Sequence, residues 1–369
     1  MKKICVITTT HPVDDNRIYL KEINSLLSKY SVIYISTGSL EEAPDNLEVI
    51  SVGSFSPGLM KRLALNSRAF KEALKLKVES YHFHDFDFII FAVLLRIIKR
   101  KPIIYDVHED YPAVVKTRGY RKGILGSLLS FIIYLIESFC VIFFSGIITV
   151  NNPIADRFRN LKKNVIIIPN HPRKEPFENY KSKKYLKEQD LEIVHLGNLN
   201  EIRGGNVISE AIVGIDDVKL TVIGEITPSR YKDFIANKLG RDKLEITGKL
   251  PYKKAIKRAS EADIGLIGYL PLPNHVESSP NKIFEYMGLG LPVVVSDLTS
   301  LKTIIDKSRA GLCYISEDSD DLVAKIKEIS RKDSYESFSV NSRKAFLELY
   351  NWENEEPKLL GLYEKIIRK

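Results

Sequence analysis

The sequence predicts an α/β protein built from two doubly wound, parallel-sheet domains, and three observations carry that prediction. Short apolar segments of strand length alternate with helical stretches along nearly the whole chain, the pattern of a parallel sheet with helices on both faces. At 369 residues the chain is long for one hydrophobic core and suits two. The alternation breaks once, at Pro169, Pro172 and Pro176 and the charged run 181–190, which reads as a linker.

Seven strands are expected before the break, at residues 4–8, 32–36, 47–52, 81–84, 103–107, 147–150 and 165–168. Five are expected after it, at 193–196, 220–223, 244–247, 264–267 and 293–296. The domains would then be 1–172 and 173–349, followed by a stretch of helical pattern, 350–369, that begins near Trp352 and has Leu359, Leu360, Leu362, Tyr363, Ile366 and Ile367 as its apolar residues.

Three cysteines, Cys5, Cys140 and Cys313, lie far apart with neither a CxxC pair nor metal-ligand spacing, which argues for a reducing compartment and against zinc. The N-terminal MKKICVITTT has too short an apolar run for a signal peptide and reads as a first buried strand, so a cytoplasmic location is expected. A net charge of +8 favours an anionic partner. Nucleic acid ranks low among these, because no nucleic-acid-binding motif is present.

Lys99, Arg100, Lys101, Lys116, Arg118, Arg121 and Lys122 precede the most apolar stretch, 124–150, a juxtaposition expected at an acidic membrane surface. The stretch is long enough to cross a bilayer. Against spanning stand Glu137 near its middle, which would cost about 2.5–3.5 kcal/mol to insert, and Gly146, which divides a helix-like part from a strand-like part. A helix on a sheet, with one face at the inner surface of the plasma membrane, is the expectation.

The segment 276–297, VESSPNKIFEYMGLGLPVVVSD, carries the most chemistry. Ser279 is expected to cap a helix that opens with Pro280, which fixes φ and has no amide hydrogen to leave unpaired. Ile283, Phe284 and Met287 give that helix an apolar face, and Gly288 and Gly290 stop it before a buried strand. A helix start offers amide hydrogens and partial positive charge to an anion, and Lys282 adds a full charge. Glu285 could accept two hydrogen bonds from vicinal hydroxyls, as a ribose presents, and Glu277 could hold hydroxyls of a second sugar. Polyol, diphosphate and polyol in a row describe a nucleotide sugar. Two isolated glutamates would be solvated surface charges; the cap, the lysine and the glycines argue for a site.

PNKIFEYMGLGLPVVVSD resembles the donor-site signature of the family-four glycosyltransferases, retaining enzymes of the two-domain GT-B fold. HPVDDNRI and DVHED resemble a subgroup that makes bacterial surface polysaccharides, and YNWENEEPKLLGLYEKI resembles the last GT-B helix, which returns to the first domain. The resemblance implies that Glu285 binds the ribose, that Glu277 lies near the donor sugar, and that His108 is the active-site histidine. Relatives carry an arginine and a lysine in the loop that reads HLGNLNEIRGG here; the matching positions hold Asn198 and Arg203, so one phosphate-binding charge is missing and Lys282 would replace it. Gly204, Pro280, Asn281 and Ile283 complete the expected diphosphate site, with Lys249 and Leu250 near the base.

In a doubly wound sheet, ligands bind beyond the carboxyl ends of strands. The loops there supply the expected acceptor contacts, His11, Asp14, Asp15, Arg17, His84, Asp85 and Glu109, with Asp15 or Asn16 also capping a helix. The D-x-D of Asp85 and Asp87 would suit a divalent metal in the GT-A fold, but no metal and no cofactor are expected. The implied reaction moves a sugar from a UDP- or GDP-linked donor to a glycan or lipid-linked acceptor. The alternatives are a non-catalytic nucleotide- or glycan-binding scaffold and a sugar-nucleotide epimerase of the same fold.

Overall fold

The structure, a computed structural model, describes residues 1–54, 58–117, 123–162, 164–185 and 190–367. Arg118, Arg121 and Lys122 of the basic run therefore lie outside the described residues, as does the side chain of Lys116. The chain divides into two compact units, Met1–Asn170 with Glu353–Lys369, and His171–Trp352.

The first unit holds seven strands: β1 Lys2–Pro12, β2 Tyr30–Thr37, β3 Leu47–Ser51, β4 Ser80–Phe83, β5 Ile103–Val107, β6 Gly146–Thr149 and β7 Val165–Ile167. They form one parallel sheet in the order β3-β2-β1-β4-β5-β6-β7. Ile4, Cys5, Val6 and Ile7 are all buried, as expected for strands covered on both faces. The order reverses between β1 and β4, which makes their carboxyl ends the crevice where a doubly wound sheet binds ligands. The helix Glu356–Ile367 belongs to this unit and buries Leu359, Leu362, Tyr363 and Ile366.

The apolar stretch 124–150 becomes the helix Ile124–Cys140, a 3-10 turn Val141–Phe143 and β6. Glu137, the charge that opposed membrane insertion, is fully buried, accepts a hydrogen bond from Tyr105 Oη at 3.0 Å and pairs with Arg157. Burial pushes its carboxyl up and Arg157 pulls it back, the net direction being upward. By length and composition alone Ile124–Phe143 could cross a membrane, and 28% of its most apolar window is buried.

The second unit holds six parallel strands: β8 Leu191–Leu196, β9 Val218–Ile223, β10 Leu244–Ile246, β11 Ile264–Ile267, β12 Val293–Ser296 and β13 Gly311–Tyr314, in the order β10-β9-β8-β11-β12-β13. The strand β13 is absent from the pattern of apolar runs. Its four residues, GLCY, are too short and too poor in β-branched side chains to signal a strand, and its pairing with β12 creates it. The reversal here lies between β8 and β11.

The helix after β11 starts one residue later than expected and has a different cap. It spans Asn281–Gly288, and Pro280 is the capping position, with φ −66° and ψ 136°. Ser279 makes no capping hydrogen bond; Pro280 contributes its carbonyl oxygen, which accepts from the Ile283 amide at 3.2 Å. The other end closes as a Schellman motif, in which the amides of Gly290 and Leu291 donate to Met287 O and Tyr286 O, both at 3.0 Å. Gly290 has φ +68°, and a Cβ there would lie 2.6 Å from Lys181 O. Gly290→Val should destabilise this unit by about 1–3 kcal/mol, read from urea unfolding; a change within about 0.5 kcal/mol, as for an ordinary surface position, would contradict that role.

Candidate functional site

In the second unit, β8 ends in His195 and Leu196 and the chain turns at Gly197 and Asn198. The Asn200 side chain accepts from the Arg203 amide at 3.1 Å, fixing a 3-10 turn, Glu201–Arg203. Gly204 follows at φ +81°, where a Cβ would fall 1.8 Å from Gly268 O, so only glycine lets this loop press against the chain leaving β11. Arg203 Nη1 donates to Asn198 O at 2.7 Å. Asn198 and Thr227 exchange side-chain hydrogen bonds at 2.8 and 3.1 Å, so the position where relatives carry a charge is here tied into a neutral pair.

Lys282 reaches the same place from the helix Asn281–Gly288. Its side chain is 8% exposed, and its Nζ lies 3.1 Å from His195 Nε2. With the ammonium donating, Nε2 accepts and the imidazole proton sits on Nδ1. The guanidinium of Arg203 and the ammonium of Lys282 both lie over the Tyr269 ring, at 6.0 and 5.4 Å from its centroid. Burial, and then the Arg203 charge, push the Lys282 amine down to about 7 against the pull of Glu285. Burial, and then Lys282, hold His195 well below its usual range, so it is neutral. No carboxylate among the described residues forms an ion pair with either cation. Two close cations over an apolar ring are what an incoming anion relieves.

Glu285 is half-buried one turn further along and accepts a hydrogen bond from Tyr252, whose hydroxyl burial and then Glu285 push up. Glu277 is exposed, just after the short helix Pro273–Val276. That helix is held by His275, which lies over the Tyr269 ring at 4.7 Å and whose Nδ1 is 3.1 Å from Leu270 O. One expected donor contact does not hold as a side chain: Ile283 is fully buried in the core, on the inward face of its helix. Leu250 is half-buried and packs partly against that core. Lys249 is exposed. His195, Tyr269 and Tyr252 were not anticipated, although His195 and Tyr269 stand at strand ends, where they could have been sought.

In the first unit, the loops after β1, β4 and β5 meet around Asp106, which β5 buries completely. Arg17 grips it through Nε at 3.1 Å and Nη2 at 3.1 and 3.0 Å, while Arg17 Nη1 donates to Ile168 O at 3.0 Å and Nε lies 2.9 Å from Glu22. His84 Nδ1 and His108 Nε2 lie 3.5 and 3.3 Å from the same carboxylate and 3.2 Å from each other. Burial alone would raise Asp106, but Arg17 and then His108 hold it well below the usual carboxylate range. Glu22 goes the other way, raised first by burial and then by Asp106. Burial lowers His82 strongly and His84 to about 4, so both are neutral.

This arrangement corrects three acceptor assignments. Arg17, at 4% exposure, is spent on the interior pair. His84 is fully buried beneath His108. Asp85 is buried at the end of β1, where it accepts from the Thr9 amide at 2.5 Å and from the hydroxyls of Thr8 and Thr10. Asp87, its partner in the D-x-D, pairs with Arg62 at 2.7 Å. What reaches the surface is His11, with its ring centroid 5.2 Å from that of His108, together with the exposed Asp14 and Glu109. Asp15 does what a cap does, accepting from the amides of Arg17 and Ile18 at 2.9 Å, and its other oxygen lies 3.5 Å from His11 Nδ1. Burial lowers the His11 imidazole, but Asp15 and Asp85 more than offset it and the net direction is upward.

Glu22, His82, His84 and Asp106 bring ligand atoms within 4.8 Å of one another, a spacing a metal could use. The Arg17 guanidinium already sits against both carboxylates and supplies the positive charge a metal would bring.

Asp106→Asn should cost about 3–5 kcal/mol, because it leaves Arg17 buried without its counter-charge. Since the folded carboxyl titrates below its unfolded value of about 3.9, the stability it contributes is complete above that pH and is lost as pH falls through the folded value. Urea unfolding at pH 7 and pH 3 measures both; an equal deficit at the two would sink this reading.

Residues 176–345 match the family model described as glycosyl transferases group 1. No curated protein matches the chain. Among solved structures, sucrose-phosphate synthase from Thermosynechococcus elongatus is similar over 100% of both chains at 16% identity, with a TM-score of 0.76. HepE of Anabaena in complex with UDP is similar over 99% of this chain and 100% of its own at 11% identity, TM-score 0.72. A glycosyltransferase from Rickettsia africae is similar over 100% of this chain and 99% of its own at 16% identity, TM-score 0.71. The fold is GT-B, and the matched domain together with that fold supports a glycosyltransferase.

Proposed function

We propose that this protein is a retaining glycosyltransferase that moves a sugar from a nucleotide-diphosphate sugar to a glycan or lipid-linked acceptor in surface-polysaccharide synthesis, in the cytoplasm. The observation that carries the reading is the pair of cations, Arg203 and Lys282, over Tyr269, in no ion pair with a carboxylate among the described residues and one helical turn from a half-buried glutamate that Tyr252 orients. Arg203 and Lys282 neutralise the diphosphate as it departs, which is where negative charge grows in the transition state. Glu285 accepts from the ribose hydroxyls, and Glu277 contacts the donor sugar. His11, Asp14 and Glu109 receive the acceptor. The departing phosphate takes the acceptor's proton on the face it leaves, so no protein base and no metal are required.

A UDP-linked donor is favoured by the neighbour solved with UDP and by another solved with UDP-2-fluoro glucose. Calorimetric titration with UDP, GDP and their sugars tests this. Glu285→Ala should weaken nucleotide binding by roughly tenfold or more, the worth of a charge-assisted hydrogen bond; wild-type affinity in the variant would remove Glu285 from the site. Transfer should survive a chelator.

Lys282 adds a pH signature. Its amine titrates near 7 in the free protein, and a bound diphosphate raises that value by favouring the charged form. Nucleotide affinity should therefore fall as pH rises from about 7 toward the ordinary lysine value of about 10.4, with proton uptake on binding visible in buffers of different ionisation enthalpy. Lys282→Met should flatten that dependence; an unaltered pH slope would show that Lys282 is not the titrating group.

A further inference from the structure

The helices Ile89–Lys99 and Ile124–Cys140 pack against each other in the first unit, and both turn apolar side chains outward. Leu128, Phe131, Leu135 and Phe139 recur at helical spacing, with Phe131 57% and Phe139 62% exposed. The neighbouring helix presents Ile90, Leu94 and Ile97, all exposed. A patch of this kind on a soluble face marks an interaction surface.

Charge decides what covers it. The helix Ile124–Cys140 contains one acidic residue, Glu137, and that one is buried and paired with Arg157; the helix Ile89–Lys99 contains none. Every charge carried by the two helices outside that buried pair is basic, Arg96 and Lys99. At the end of the longer helix, a cleft of about 450 Å³ is lined by Arg96 and Lys162 beside Ile142, Phe143 and Leu161. Lys162 Nζ donates to Ile142 O at 2.5 Å, Arg96 Nη1 donates to Lys101 O at 3.5 Å, and no ion pair joins either to a carboxylate among the described residues. Burial and then Arg96 push the Lys162 amine down, the mark of two cations held close without an anion.

We propose that these two helix faces dock on an anionic lipid bilayer, their apolar side chains entering the acyl boundary while Arg96 and Lys162 receive a lipid phosphate in the cleft. A second copy of the chain suits the face poorly, since pairing would bring its basic residues against one another. The apolar part supplies partitioning and the basic part selects negative lipid. The proposal is independent of the donor-site assignment, which nucleotide titration reads separately.

Flotation of the full chain with phosphatidylcholine vesicles, with and without phosphatidylglycerol, tests it. The wild type should float with the phosphatidylglycerol vesicles and detach in high salt. Phe131→Ser with Phe139→Ser should lower the bound fraction by roughly tenfold or more, and Arg96→Glu with Lys162→Glu should remove the preference for phosphatidylglycerol. Ile97→Ser serves as an independent probe on the other helix, and an unchanged urea-unfolding transition certifies that each variant is folded. Failure of the wild type to float, or flotation indifferent to both the apolar and the basic substitutions, overturns the proposal. A dimer in sedimentation that the phenylalanine substitutions dissolve, without vesicle binding, would assign the face to a second copy.

Discussion

The first unit is organised around one buried carboxylate. Asp106 stands at the end of β5 with no exposure to solvent, and an ion there is tolerable only if it is fully paired. Arg17 supplies the charge from the loop after β1, His84 arrives from the end of β4, and His108 closes the group from the loop after β5. Three segments distant in sequence are thereby held to one point at the reversal of the sheet. The helix Glu356–Ile367 joins the same group, since Tyr363 Oη lies 2.9 Å from His82 Nδ1 in the layer beneath. The ring of His108 is set by what lies under it.

The second unit solves the opposite problem. Its crevice, at the reversal between β8 and β11, collects positive charge that no carboxylate among the described residues meets in an ion pair. Lys282 is nearly buried, its amine is destabilised in the charged form, and its close contacts are a neutral imidazole and an aromatic face. Where the first unit sets Arg17 against Asp106 internally, the second keeps a surplus that an anion can satisfy. The difference follows from how the side chains pair: Asp106 is gripped by Arg17, whereas no ion pair joins Arg203 to a carboxylate among the described residues.

Much of this was legible in the residues. Twelve of the thirteen strands announced themselves as apolar runs, and the one missed, β13, is a strand by virtue of its neighbour rather than of its composition. The glycines around Met287 did end the helix, and Lys282 was singled out for its charge in the first turn. The cap was misjudged because Ser279 and Pro280 both favour helix starts, and only the observed backbone angles show which of them takes the position. Arg17, His84 and Asp85 were misplaced for a different reason. A polar residue near a strand end looks alike in sequence whether it faces solvent or a buried partner, and the partners here lie about as far off as 77 and 89 positions along the chain.

By itself, then, the sequence determined what depends on local pattern: two parallel-sheet domains, the helix that follows β11, and the residue types suited to a diphosphate and a ribose. Burial and pairing were left to tertiary structure, because they depend on neighbours that chain order does not reveal. Only the folded chain decides that Asp106 holds His84 and His108, that Tyr269 underlies the two cations and Tyr252 holds Glu285, and that the most apolar helix hides its one acid while leaving its phenylalanines outside.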